Sequence, residues 1–353
     1  MNNHSQHQGQ SQSQSQSQAQ SQPQPQPQAQ SQLKSQSPAA PPRSWLRVRH
    51  DTIYDYDTPV ELAHHLACLS PRETANQQVR AWTLLIEPVP DAWAPLEGVE
   101  GGHESPISRL SLDPWGNGRL VFSHARVHET LRVSSVFEAG LTAAPAPDCA
   151  ASPAWKQVAT SLRYHAGEAH TEAVEFTLAS PFAPHDAALA AYARQAFTPG
   201  RSVAAGALAL MSQVHRDFKY ETTSTHVGTR APEALALKSG VCQDFAHVMI
   251  GACRSIGLAA RYVSGYLLTH PPKGQPRMIG ADASHAWAQV WCPLHGWLSL
   301  DPTNDMMIGV EHVTLAWGRD YADVAPLRGV IRGGGSAQPR VEVTVEPMGD
   351  RGL

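Results

Sequence analysis

The chain has 353 residues, a formal net charge of −4 and 42% hydrophobic residues, a balance that offers no basic face for nucleic acid. No apolar run approaches the roughly 18 residues that a bilayer span needs, and the N-terminus has neither a basic nor an apolar leader region, so no membrane partner and no signal peptide are expected. The length suits roughly two folded domains, and the five cysteines, Cys68, Cys149, Cys242, Cys253 and Cys292, form an odd, scattered set rather than a disulfide framework, which fits a reducing cytoplasm.

Residues 1 to 42 are Ser-Gln repeats, then Pro-Gln repeats, then a Pro-Ala run. They carry too little apolar surface to offset the entropy of ordering, so a disordered tail is expected. A Gln-rich interaction role competes with that of a tolerated low-complexity extension, and the extension is the preferred reading. From Trp45 the pattern alternates: Leu46 to His50, Thr52 to Tyr56, Val79 to Glu87, Arg119 to Ser123 and Glu129 to Phe137 read as short strands. Asp113-Pro-Trp-Gly-Asn-Gly118 is a dense turn signal between them. A small β-sandwich over residues 43–150 is predicted, with a Pro/Ala-rich linker near 140–155.

Helices follow at Asp186–Ala196 and Val203–Phe218. Ala231–Lys238 is a third, with Pro232 in its first turn. Ser239-Gly240-Val241 reads as a tight turn. Cys242 to Ile256 reads as a helix stopped by Gly257. Ala260–Leu268 reads as a strand, and the polar stretch 269–283 as a long loop at the rim of the site, a candidate substrate-facing flap. Ala283–Trp291 and Gly296–Asp301 read as strands joined by the hairpin loop Cys292-Pro-Leu-His-Gly296. Residues 151–330 make the second domain, and 331–353 a C-terminal strand and tail.

The predicted turn and helix place Cys242 at a helix N-terminus. There the macrodipole and unpaired N–H groups favour a thiolate nucleophile. Such a nucleophile needs a base and an orienting group. His285 and Asp301, on adjacent strands, supply an imidazole and a carboxylate in the right relation. His247 is five residues from Cys242 on the same helix and points about 140° away, and His295 lies in the hairpin loop. Asp244 suits a brace on the first helical turn, because a carboxylate at the thiol would oppose its charge. Cys253 reads as core. The oxyanion donor is assigned to the Cys242 backbone N–H or to Tyr220, for which a packing role stands equally. Zinc accepts all three residue types, but no close ligand pair accompanies them, so no metal and no cofactor are expected.

Gly240-Val-Cys-Gln-Asp-Phe-Ala246, Arg254 to Tyr266, Ser284-His-Ala-Trp287 and Trp297 to Asn304, in that order, resemble the bacterial branch of the transglutaminase-like superfamily. Gly318-Arg-Asp-Tyr321 also recurs there. The upstream segment is similar to the N-terminal region that precedes the catalytic domain in that family, through His50, Tyr54, Tyr56, Pro59-Val60, Pro71-Arg72, Asp113 and Gly116-Asn117. The resemblance implies an α+β chain whose catalytic domain has a papain-like fold, with the cysteine helix packed on the sheet that carries the histidine and the aspartate. It also implies acyl chemistry on a peptide or protein substrate through an acyl-enzyme. Hydrolysis of a peptide, isopeptide or amide is the leading expectation. Transfer to an amine, as in a protein-glutamine transglutaminase, is the alternative. A non-catalytic scaffold whose β-domain binds a protein partner is the third reading. No EF-hand-like acidic loop is present to suggest calcium.

Overall fold

The computed structural model describes residues 44–93, 109–167, 170–270, 284–336 and 338–349. The predicted disordered tail and most of the predicted rim loop lie outside the described residues. Within residues 44–93 the hydrophobic alternation becomes β1 (Ser44–Ala67), in which buried Leu46, Val48 and His50 alternate with exposed Arg47 and Arg49. β2 (Gln77–Glu87), β3 (Ala92–Trp93), β4 (Ser111–Leu112), β5 (Gly118–His124) and β6 (His128–Leu141) follow. They build one antiparallel sheet around β1, which is long enough to hold different neighbours along its length. Its first part pairs with β6, Val48 opposite Phe137, and its last part with β5, His65 opposite Phe122.

The middle of the chain is helical: α1 (Trp155–Ser161), a 3-10 turn at Glu172–Thr177, α2 (Ala187–Ala196) and α3 (Val203–Asp217). Asp186 and Ser202 cap α2 and α3 by accepting first-turn N–H groups, which satisfies donors the helices leave open. The short β7 (Lys219–Tyr220) and α4 (Ala231–Leu237) lead to β8 (Ser239–Gly240) and α5 (Cys242–Arg254). Helix α5 is apolar on nearly every side, with Phe245, Ala246, Val248, Met249, Ile250, Ala252 and Cys253 buried. Such a helix belongs in the middle of a domain. It packs on β9 (Ala260–Leu267) and β10 (Ser284–Cys292), with α2, α3 and α4 against its other sides.

The α5 C-terminus closes as a Schellman turn: Leu258 N–H reaches the Cys253 carbonyl at 3.0 Å, and Gly257 takes φ +84°, a conformation that glycine adopts freely. Arg254 anchors this end. Its buried guanidinium donates to the carbonyls of Phe176, Ala260 and Arg319 and to Ser180 Oγ. Burial pushes its pKa down to about 10, still far enough up to keep the charge that these acceptors stabilise.

The second sheet runs β12 (Met306–Met307), β11 (Gly296–Asp301), β10, β9, β13 (His312–Gly318). β13 is therefore an edge strand, and its free backbone edge is a hazard unless covered. Side chains from the first sheet cover it. Gln77 donates to the Thr314 carbonyl at 2.7 Å and accepts its N–H at 2.8 Å. Asn117 does the same for Trp317, at 2.7 and 3.1 Å. Asp113 and Arg72 hold Asn117 in turn, and the Arg72 guanidinium stacks 3.6 Å above the Trp317 ring. The turn cluster at 113–118 is thus a clamp between the two sheets.

After α6 (Tyr321–Val324), the chain returns to the first sheet. β14 (Leu327–Gly333) and β15 (Arg340–Pro347) both pair with β1, His65 opposite Gly329 and Val48 opposite Val345. The strand predicted after residue 331 is β15, and its partner is the strand that opens the described chain. The described residues cluster as one compact unit, in which β14 and β15 complete the sheet that β1 begins.

Candidate active site

Cys242 is the first residue of α5. Val241 before it is extended, and Asp244 Oδ2 accepts the Val241 N–H at 2.8 Å and the Thr225 hydroxyl at 2.7 Å. The brace expected of Asp244 is present, and it dictates the turn. A Cβ on Gly240 would run into the Asp244 carboxylate, so only glycine lets the chain enter the helix here. The amide of Cys242 belongs to the first helical turn, whose N–H groups have no intrahelical acceptor.

His285 sits on β10 opposite Gly265 of β9. Its Nε2 donates to Asp301 Oδ2 at 2.7 Å. The Cys242 side chain lies beside the same ring and also favours its charged form, and with Nε2 taken, Nδ1 is the nitrogen left for the thiol. Burial works against a charge on this ring, but the hydrogen bonds to Asp301 and to Cys242 outweigh it. The imidazole is pushed up from 6.5 to about 10.

Asp301 ends β11 and is fully buried. Its Oδ1 accepts the backbone N–H groups of Thr303 and Asn304, at 2.9 and 3.2 Å, the local turn that aspartate favours. Oδ2 accepts Asn304 Nδ2 at 2.7 Å, His285 at 2.7 Å and His312 Nε2 at 3.2 Å. Burial opposes this charge as well. The donors from His285 and His312 outweigh it and hold the carboxyl well below the usual carboxylate range.

His312 was not singled out from sequence. It opens β13, is buried, and accepts the Gly309 N–H on Nδ1 at 3.4 Å. That bond puts its proton on Nε2, aimed at Asp301. The available signal was its place at the start of the alternating run His312 to Trp317, eleven residues past Asp301. His285, Asp301 and His312 also bring their ligand atoms close enough for a metal ion, a donor set that suits zinc. Two N–H groups meeting one carboxylate account for the same convergence, and an ion there would have to displace both protons.

The thiol and the imidazole open into a cleft of about 260 Å³. His50 and Tyr54 of β1, Gln243 of α5, Tyr262 of β9 and Tyr321 of α6 contribute walls. Among the described residues the lining holds no Asp, Glu, Lys or Arg. His50 is tied across to β9 by its Nδ1 contact with Tyr266 Oη at 3.0 Å, so the first sheet forms one side of the cleft in fixed register. Tyr220, the other oxyanion candidate, lies on β7 opposite Gly240, half exposed, with its ring beside Phe245. It does not line the cleft, whereas buried Tyr262 does. His247 is a core ring stacked on Phe182 at 5.2 Å, His295 holds the Asp148 carbonyl, and His270 pairs with Glu311 at the surface. Tyr321 brings the Gly318–Tyr321 block to the cleft wall.

The model of the transglutaminase-like superfamily matches residues 190–302, and that of the bacterial transglutaminase-like N-terminal region matches residues 46–139. An uncharacterized protein of Mycobacterium tuberculosis is 37% identical over 289 residues, which covers 81% of this chain and 87% of that one. The chain belongs to the transglutaminase-like superfamily. A protein-glutamine gamma-glutamyltransferase of Pseudomonas aeruginosa is 31% identical over 152 residues, 41% of this chain and 22% of that one. Among solved structures, one described as a putative cysteine protease from Cytophaga hutchinsonii superposes with a TM-score of 0.61 at 18% identity, over 86% of this chain and 91% of that one. It supports the papain-like, transglutaminase-core fold, an α+β architecture with a β-rich N-terminal region. All five cysteines are unpaired, and no helix among the described residues is long and apolar enough to cross a membrane.

Proposed function

We propose that this member of the superfamily is a thiol enzyme that breaks a peptide, isopeptide or side-chain amide bond through a thioester at Cys242. The observation that carries the reading is the row Cys242–His285–Asp301, with the thiol and the ring in the lining of one cleft and the ring bonded to a buried carboxylate at 2.7 Å. Cys242 gives its proton to His285 before the substrate arrives, so that the ring rests as an imidazolium, and the sulfur attacks the carbonyl carbon. The Cys242 N–H is placed to meet the developing oxyanion. The imidazolium then returns its proton to the departing amine as the C–N bond breaks. Asp301 stabilises the charged ring throughout without accepting its proton.

Water entering next completes a hydrolysis, and an amine completes a transfer. The stretch of 31% identity to a gamma-glutamyltransferase favours keeping transfer as the second reading. The test uses a casein-like protein and a fluorescent primary amine. New N-termini or released ammonia without incorporated label mark hydrolysis, and incorporated label marks transfer. Both signals should vanish in Cys242→Ala. Turnover that survives in that variant would remove the thioester from the mechanism.

A further inference from the structure

Three polar side chains run in a row from the second sheet to the cleft. Tyr266 of β9 is buried, and its Oη lies 3.0 Å from His50 Nδ1. The other nitrogen of that ring, Nε2, lies 2.9 Å from Thr52 Oγ1. His50 and Thr52 stand two residues apart on β1, so their side chains share a face, and both line the cleft that holds Cys242 and His285.

The row has a direction. Burial pushes His50 down to about 4, so near neutral pH the ring is uncharged and carries one N–H. Burial also raises the Tyr266 hydroxyl, which therefore keeps its proton. Among the described residues Tyr266 Oη has no hydrogen-bond partner other than His50. A buried O–H without an acceptor is costly, so Tyr266 donates to Nδ1. The ring proton is then on Nε2 and goes to Thr52 Oγ1, which has no other partner among the described residues. The Thr52 oxygen thus accepts from the protein, and its own proton is left to donate into the cleft.

We infer that the Thr52 hydroxyl, oriented by Tyr266 and His50, is a substrate-binding donor for a backbone carbonyl oxygen on the acyl side of the bond broken at Cys242. The inference rests on the thioester reading above. A peptide substrate carries such a carbonyl besides the one under attack. The surroundings of Thr52 select what accompanies it. Tyr54, Leu327, Pro339 and Val341 share its part of the lining, and Val341 is its register partner on β15. A single placed donor within an apolar wall fixes the orientation of a ligand, here an acyl-side residue with an apolar side chain. The triad comes from α5, β10 and β11, whereas Thr52 comes from β1. The first sheet therefore holds the substrate as well as closing one side of the cleft.

The experiment times inactivation of the full-length protein by two reagents with the same reactive group. N-acetyl-leucyl chloromethyl ketone carries an apolar side chain and an amide carbonyl, and chloroacetone has neither. With each, the Cys242 sulfur bonds to the chloromethyl carbon and chloride leaves, and peptide mass locates the adduct. Thr52→Val should slow the first reagent about three- to tenfold, the usual weight of one neutral hydrogen bond, and leave the second unchanged. Thr52→Ser keeps the hydroxyl and should restore the native ratio. The direction of the row is read separately by nitrogen NMR of the His50 ring, with the proton expected on Nε2. Tyr266→Phe removes the donor to Nδ1, so the second tautomer should appear and part of the preference for the leucyl reagent should be lost. Equal slowing of both reagents in Thr52→Val, or no slowing of either, overturns the inference and leaves the proposed function standing. So does a His50 proton on Nδ1 in the native chain, a result that depends on no variant's folding. Failure of both reagents to alkylate Cys242 in the native protein overturns both.

Discussion

Asp301→Asn tests the chemistry at its most buried point. The replacement keeps the volume and removes the charge, leaving a neutral amide among five donors: the N–H groups of Thr303 and Asn304, Asn304 Nδ2, His285 and His312. In the native site the His285 ring is lifted from 6.5 to about 10, worth about 5 kcal/mol in favour of its charged form. Burial pulls the other way, so without the carboxylate the ring should titrate well below 10, with Cys242 alone left to raise it. The base would then lack stabilisation when it takes the thiol proton, and the ring would lose its fixed orientation. Loss of an orienting carboxylate slows acylation by roughly 10³- to 10⁴-fold in a triad. The assay pairs NMR titration of the His285 ring with turnover of the casein-like substrate across pH. In the native protein the alkaline limb should reflect loss of the imidazolium near pH 10. In the variant that limb should move clearly down from pH 10. A ring that still titrates near 10, with turnover reduced by less than about fivefold, would refute the assignment of Asp301.

Three further outcomes follow from other contacts. His312→Phe removes one donor from Asp301 and the acceptor of the Gly309 N–H, so urea melts should show a loss of about 1–3 kcal/mol. Because the His285–Asp301 bond remains, its alkaline limb should stay near pH 10 while turnover falls. Gly240→Ala drives a methyl group into Asp244. It should cost about 1–3 kcal/mol by overpacking and slow alkylation of Cys242 by iodoacetamide as the helix start is displaced. Acid should destabilise the fold through its neutral buried histidines. Burial pushes His50 down to about 4 and His247 to about 3. The unfolded chain takes up these protons near pH 6.5 and the folded chain resists, so their stability is complete above about 6.5. It is lost as pH falls toward 4, by up to about 3 kcal/mol for His50. Urea midpoints at neutral and acidic pH measure it, and a flat profile would show that these rings are not held neutral.

What could be read from the sequence is what is local. Gly240 before Cys242, the apolar helix ending at Gly257, and the hairpin around Gly296 are written within a few residues each. They suffice to bring His285 and Asp301 onto neighbouring strands with the thiol opposite. The second imidazole on Asp301 is a different kind of fact. β13 joins the sheet beside β9, on the far side of β10 from β11. His312 reaches Asp301 only because that strand order folds the chain back over the end of β11. No periodicity within β13 carries the order.

The same holds for the cleft. Its floor is a helix start, but one wall is β1, and β1 is held between two strands far from each other in sequence, β6 on one side and β15 on the other. Gln77, Asn117 and Arg72 lock that sheet to β13 through the backbone of Thr314 and Trp317. β13 in turn supplies His312. The backbone that the clamp grips and the imidazole that donates to Asp301 are therefore parts of one strand. A substitution at Asn117, far from the thiol in sequence, should disturb His312 before it disturbs Cys242. Asn117→Ala would leave the Trp317 N–H and carbonyl unpaired at a buried edge, at a cost of about 1–3 kcal/mol. Turnover should fall with alkylation of Cys242 by iodoacetamide nearly unchanged. If both fell together, β13 would not be the element that connects the clamp to the base.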